Sequence, residues 1–281
     1  MNILKFPDNK PELSRVDLKS TIQSGGCGLV YKAKYLEGLN KEVAVKLIPL
    51  RSSIDRSKFV SEATTSQIMS QIGCGVNVIE SFMEQECGGI VMELMDTDLF
   101  DLIEYERDEQ KLKDIFKKVC LMVKQCHQRK LAHLDIKPEN ILVNKNGDVK
   151  LCDFGSAANF DTKLTHNVGS IYYRDPVIEI DPNFSKQKAD IWSLGVLLHV
   201  MLAKTYPYAG RTDKEQAMNY NKKIVTFRYL NIAVEKGAVS PTARDLVKQL
   251  LHIKPLMRPS ISQVLAHPWF SETKISLPTA K

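Results

Sequence analysis

The chain has 281 residues, 43% of them hydrophobic and 26% charged, and a formal net charge of +6. These proportions exclude a disordered, collagen-like or low-complexity chain, and a chain of this length can bury roughly 75% of its unfolded surface in one or two domains. The positive charge is dispersed: the densest group, Lys111, Lys113, Lys117 and Lys118, has helical spacing and reads as a solvated helix face, with a nucleic-acid patch as the alternative.

The six cysteines form no C-x-x-C pair and no grouping has metal-ligand spacing, which suits a reducing compartment. The first thirty residues lack an apolar stretch with a cleavage site. The longest apolar run, Ile191 to Ala203, is shorter than the roughly 20 residues that span a bilayer. It therefore predicts a buried core helix and a protein that is intracellular and not inserted in a membrane.

Residues 16–50 alternate in short bursts that predict an antiparallel sheet. Between two bursts lies Ile22-Gln23-Ser24-Gly25-Gly26-Cys27-Gly28-Leu29-Val30, where glycine lets backbone N–H groups approach a phosphate; a plain glycine turn is the other reading. The strand Glu42 to Ile48 contains Val43-Ala44-Val45-Lys46, offering one lysine either to nucleotide phosphates on an inner face or to solvent on an edge. Residues 55–72 return apolar side chains at Phe59, Ala63 and Ile68, predicting a helix packed on that sheet. Glu62 on this helix is placed to aim Lys46, and a half-exposed pair of this kind contributes only about 0–1 kcal/mol to the fold.

After Glu93 the periods lengthen and become helical, interrupted by a strand-and-loop block from His133 to Phe154. In it, His133-Leu134-Asp135-Ile136-Lys137-Pro138-Glu139-Asn140 sets a metal-competent amide five residues after an aspartate. Asp153-Phe154-Gly155 then offers a carboxylate to magnesium just after the predicted strand Val149 to Cys152. The tails before about residue 15 and after about residue 271 are too short to form domains.

This ordered set resembles the eukaryotic-type protein kinase superfamily over roughly residues 16–270. The segment Gly169-Ser170-Ile171-Tyr172-Tyr173-Arg174-Asp175-Pro176 fits the same pattern, as do Asp190-Ile191-Trp192-Ser193-Leu194-Gly195, Arg258-Pro259-Ser260 and His267-Pro268-Trp269-Phe270. The resemblance implies an α+β, bilobal fold with an N-lobe at 16–92, a hinge at 93–97 and a mainly helical C-lobe at 98–270. It also implies transfer of the γ-phosphoryl group of ATP with the help of Mg2+.

Carried over residue by residue, Lys46 would hold the α- and β-phosphates, Glu62 would orient it, and Asn140 and Asp153 would bind magnesium. Asp135 would accept the proton of the attacking hydroxyl, and Lys137 would neutralise charge on the transferring group. Ile22, Gly25, Gly28, Val30, Ala44 and Leu142 would frame the nucleotide, with Met92 at the back of the adenine pocket and Glu93 to Met95 as the hinge. Lys137 is the residue that Ser/Thr-type kinases carry here, and Ser170 resembles the hydroxyl residue that bridges Asp135 and Lys137. The implied substrates are serine and threonine hydroxyls of proteins. The implied enzyme is monomeric, cytoplasmic or nuclear, and binds no nucleic acid.

Three positions depart from the family pattern. Gln23 replaces the first glycine of the phosphate loop, which predicts weaker or differently tuned ATP binding. Leu134 replaces the arginine that grips an activation-loop phosphate, which predicts activity independent of phosphate at Thr162 or Thr165. Asp175-Pro176-Val177 stands where the family has Ala-Pro-Glu, so Arg258 must pair with Asp175 or Glu179 or be exposed.

Asp98 and Glu139 resemble acidic positions that attract arginine near the phosphosite; the alternatives are Asp98 bonding the ribose and Glu139 being solvated. Cys152 is expected to line the ATP pocket as an inert thiol. The His133-Leu134-Asp135 form is similar to Mos-type and Wee-type kinases, whereas residues 190–203 and 240–270 look like calmodulin-dependent kinases, and no subfamily is assigned. A pseudokinase scaffold is the competing reading from another class. A small-molecule kinase is disfavoured by the peptide-positioning segment Gly169 to Pro176.

Overall fold

The computed structural model describes residues 16–25, 28–36, 41–164, 168–208 and 225–272. Gly26, Cys27, Thr165 and most of both tails lie outside the described residues. The chain forms two compact units, one built from residues up to 97 together with 142–155, the other from 98–141 and 156 onward.

In the first unit, β1 (Val16–Gly25), β2 (Gly28–Tyr35), β3 (Glu42–Pro49), β4 (Val78–Met83) and β5 (Cys87–Glu93) make one antiparallel sheet in the order β1-β2-β3-β5-β4. Strand β3 is covered on both faces. Its period of two sends Val43, Val45 and Leu47 into a cluster with Val16, Ala33 and Val91, and turns Ala44 and Lys46 to the other side. On that other side α1 (Ser53–Gln71) packs Phe59 and Ala63 against Leu50, Val78 and Ile90. The helix starts where the Ser52 hydroxyl accepts the Asp55 N–H at 3.1 Å.

The two-residue strand β6 (Thr97–Asp98) leads into the second unit through α2 (Leu99–Tyr105), which Asp98 caps by accepting the Asp101 N–H. Helix α3 (Glu109–Gln128) follows, then β7 (Leu131–Ala132). The short strands β8 (Ile141–Val143) and β9 (Val149–Leu151) are neighbours in a small sheet, and β9 returns the chain to the first unit by a parallel bridge from Leu151 to Gly75. Strand β10 (Ala158–Asn159) pairs with β7.

Helix α4 (Lys186–Ala203) is the core helix expected from its apolar run. Ile191, Trp192, Leu194, Val196, Leu197, Leu198 and Met201 are all buried, so no single face points to water. Around it pack α5 (Arg228–Glu235) and α6 (Pro241–Leu250), while α7 (Ile261–Leu265) lies on α3. No described helix is long and apolar enough to cross a membrane. The α+β, bilobal architecture is therefore the one the sequence implied.

One expectation fails on α3. Lys113 does not belong to the solvated face: it is buried, donates from Nζ to the Glu272 carbonyl at 2.7 Å and lies 5.5 Å from the Trp269 ring centroid. At about 100° per residue it points some 200° away from Lys111, toward the segment that closes the unit.

Candidate active site

In the first unit, Lys46 on β3 meets two carboxylates. Its Nζ lies 2.6 Å from Glu62 Oε1 on α1 and 2.9 Å from Asp153 Oδ1 after β9. The sequence suggested a half-exposed Lys46–Glu62 pair, but both side chains are less than a tenth exposed. Burial works against the charged ammonium; the carboxylates of Asp153 and Glu62 outweigh it and hold Lys46 above its ordinary value. Burial pushes the Glu62 carboxyl up, and Lys46 pulls against it. This lysine is therefore a fixed cation.

Asp153 has the left-handed φ of 60°, uncommon for a residue with a side chain, and its Oδ1 also accepts the Gly155 N–H at 3.3 Å. Lys46, Glu62, Ile90, Met92, Cys152 and Asp153 line one small cavity. Ala44 pairs with Met92 across β3 and β5, and Val30 pairs with Lys46 across β2 and β3. Gly25 and Gly28 face each other at the ends of β1 and β2, while Ile22 is half exposed. A Cβ on Gly28 would fall 2.4 Å from the Leu47 carbonyl oxygen, so this glycine is required by packing on β3 whatever it does for a phosphate. Glu93 ends β5 with its N–H on the Asn77 carbonyl and its Oε1 on the Asn77 N–H; Met95 and Leu142 are half buried.

In the second unit, the loop before β8 converges on Asp135. Its Oδ1 accepts the Ser170 N–H at 2.6 Å, and Asn140 Nδ2 donates to both its carbonyl (2.8 Å) and its Oδ2 (3.0 Å). Lys137 Nζ donates to Ser170 Oγ at 2.8 Å and stands 3.5 Å from Asp135 Oδ2. Ser170 thus links the two residues, but only Lys137 is met by the hydroxyl; Asp135 is met by the backbone N–H. Because Asn140 spends its N–H groups on Asp135, its amide oxygen is the atom left to face a cation.

Sequence reasoning missed the support beneath this loop. Asp190, fully buried on α4, accepts the His133 N–H at 2.9 Å and the Leu134 N–H at 2.8 Å, with His127 Nε2 at 2.9 Å. It holds Leu134 in a left-handed conformation (φ 62°) whose carbonyl lies against Gly169. A Cβ on Gly169, itself at φ 81°, would come within 2.2 Å of that oxygen. The available signal was a lone acid at the head of the apolar run Ile191 to Ala203, since a charge buried there must serve several donors.

The protein kinase domain family matches residues 16–270 of this chain. The chain belongs to that family. This kinase is 34% identical over 209 residues to mouse MAP kinase-activated protein kinase 5, covering 66% of this chain and 44% of that one. It is 29% identical over 274 residues to calcium-dependent protein kinase 29 of Arabidopsis thaliana, covering 92% of this chain and 49% of the relative. Calcium-dependent protein kinase 14 of the same plant is 30% identical over 283 residues, at 97% and 52%. The kinase spans about half the length of the curated relatives it matches.

Two family departures now have structural answers. Arg258 is buried and pairs with Asp175, not with Glu179, whose Oε1 lies 3.8 Å from Arg174. Leu134 is 3% exposed and packs with Ala158, Val168, Ile178 and Phe184, joined by half-buried Phe160, Leu164 and Val177. An apolar side chain thus occupies the position of the family's phosphate-gripping arginine. The structure also places the acidic side chains of Asp98 and Glu139. Asp98 caps α2, and burial pushes its carboxyl up; Glu139 is not freely solvated, for its Oε2 is buried without a hydrogen-bond partner.

Proposed function

We propose that this kinase transfers the γ-phosphoryl group of ATP to serine and threonine hydroxyls of protein substrates. The observation that carries the reading is the Asp135–Ser170–Lys137 arrangement: Ser170 gives its backbone N–H to the Asp135 carboxylate and accepts from the Lys137 ammonium at its hydroxyl, with that ammonium 3.5 Å from the carboxylate. A phosphoryl transfer with a loose transition state asks mainly for positioning, worth about 7–11 kcal/mol, and for stabilisation of charge on oxygens.

In this reading Asp135 takes the proton of the attacking hydroxyl as its oxygen bonds to the γ-phosphorus and the bond to the leaving ADP oxygen breaks. Lys137 offsets negative charge on the transferring group, and Lys46, kept protonated by Glu62 and Asp153, offsets charge on the other phosphates. Ile22, Gly25, Gly28, Val30, Ala44, Met92, Glu93, Met95 and Leu142 frame the nucleotide. The residue types suit a hard divalent cation, since Asp153 offers carboxylate oxygen and the Asn140 amide, its nitrogen engaged by Asp135, has its oxygen to offer. Asn140 and Asp153 would hold Mg2+, which supplies neutralisation of phosphate charge when bound. The five described cysteines are free thiols, consistent with a cytoplasmic or nuclear setting.

The test is a radiolabelled phosphate-transfer assay on a generic basic protein, with Asp153→Asn and Asp135→Asn as controls. Label on serine and threonine, lost at least about 100-fold in both variants, supports the proposal. Nucleotide binding without transfer above the Asp153→Asn control would instead mark a pseudokinase scaffold. Transfer to sugars or choline but not to protein would mark a small-molecule kinase.

A further inference from the structure

We propose that the solvent face of α3 is a docking track for an extended, acidic segment of another protein. The helix buries Leu112, Phe116, Val119, Cys120, Val123 and Cys126 toward the core of the second unit, so its apolar face is fully used. At about 100° per residue, what remains is a stripe some 140° wide. Asp114, Leu121 and Gln128 fall along its centre. Lys111, Lys118 and Arg129 run along one side and Lys117 and Lys124 along the other, residues seven apart in sequence repeating the same angle.

The charge on this stripe is one-sided: five cations face one acid. Lys124 has no acidic residue three or four positions away on the helix, and a single acid, Asp114, lies at that spacing from both Lys117 and Lys118. Lys111 is only loosely held, 3.3 Å from Glu106 and 68% exposed. A face kept only for solubility would intersperse both signs. From Lys111 to Lys124 the rows run about 20 Å, the reach of roughly six extended residues.

The centre of the track identifies the partner further. Leu121 is 46% exposed between the lysine rows, placed to meet an apolar side chain while carboxylates pair on either side. A membrane-binding helix needs a broad free apolar face, and here that face is buried in the unit. Single-stranded nucleic acid is held by aromatic stacking, and this face carries no aromatic residue. Charge complementarity with an apolar anchor therefore favours an acidic peptide.

The experiment measures binding of a fluorescein-labelled peptide rich in glutamate with one central leucine to the 281-residue chain, by anisotropy at several salt concentrations. A K117E/K124E variant is expected to lose about tenfold or more in affinity, and Leu121→Ala several-fold, with the wild-type affinity falling as salt rises. Phosphate transfer to a generic basic protein is read in parallel and is expected to be unchanged in K117E/K124E, so loss of docking and loss of catalysis are seen separately. Equal peptide affinity in wild type and K117E/K124E overturns the proposal. So does tighter binding of a single-stranded oligonucleotide or of phosphatidylserine vesicles than of the peptide, which would make the face a nucleic-acid or a membrane surface.

Discussion

Arg258 and Asp175, 83 positions apart, form a two-pronged ion pair in the interior of the second unit, with Nη2 donating to Oδ1 at 3.1 Å and Nη1 to Oδ2. Nε also donates to the His252 carbonyl and Nη1 to the Lys188 carbonyl, and Cζ lies 4.8 Å from the Trp192 ring centroid. The acid that the family carries two residues later has thus moved to the other side of Pro176 without leaving the arginine uncompensated. Asp175→Ala is expected to cost about 3–5 kcal/mol, because it strands a buried charge. Adding Val177→Glu to that variant should recover part of the loss. Urea unfolding checks both, and a cost under about 1 kcal/mol for Asp175→Ala would contradict the assignment.

Leu134 makes a second prediction, since its apolar cluster includes Leu164 and Val168 on either side of the loop that would carry a phosphate. Thr162→Ala and Thr165→Ala should keep phosphate transfer within about twofold of wild type, as should phosphatase treatment. Leu134→Arg, by contrast, forces a guanidinium among Ala158, Ile178 and Phe184 and should cost several kcal/mol of stability. Abolished activity in either threonine variant, with the fold intact by circular dichroism, would show that a loop phosphate is needed after all.

Glu139 bears on substrate choice. Its buried, unpaired Oε2 lies in the loop that carries Asp135, and its charge helps raise the Tyr173 hydroxyl, although burial is the main cause. A degenerate peptide library should show preference for arginine near the phosphosite, and Glu139→Ala should lower kcat/KM for such peptides by about tenfold with kcat little changed. An identical ranking of peptides by both proteins would leave Glu139 without this role.

His199 predicts a pH dependence of stability. It is buried, its Nδ1–H donates to the Thr205 carbonyl at 2.8 Å, and its Nε2 has no partner. Burial lowers its pKa from 6.5 to about 4. The folded value lies below the unfolded one, so the unfolded chain binds the extra proton first. Stability from the neutral ring is complete above pH 6.5 and is lost as pH falls toward 4. The shift corresponds to about 3 kcal/mol. Urea unfolding of wild type and His199→Met between pH 7 and 4 should show their stability difference moving by about that amount; a constant difference would exclude the effect.

Much of the candidate site could be read without coordinates because its parts are local. Lys46 on a β-branched strand, Asn140 five residues after Asp135, and Asp153 before a glycine each depend on neighbours in sequence and on the periods of strand and turn. Burial and partnership were legible only in part. The sequence placed Lys46 near Glu62, yet not the second bond to Asp153 or the enclosure that makes the lysine a fixed cation. It set Lys113 among exposed lysines, because spacing shows which residues share a helix face but not which face the rest of the unit covers.

The amino-acid order alone determined the family, the α+β architecture and the residue types brought to the chemistry, since these follow from short-range spacing and side-chain pattern. Tertiary structure decided that Asp175 and not Glu179 receives Arg258, that Asp190 carries the backbone of His133 and Leu134, and that Leu134 joins an apolar cluster. The physical reason is the same in each case. A buried polar or charged group takes whichever partner packing brings within hydrogen-bond distance, and that partner is chosen by contacts between segments dozens of residues apart.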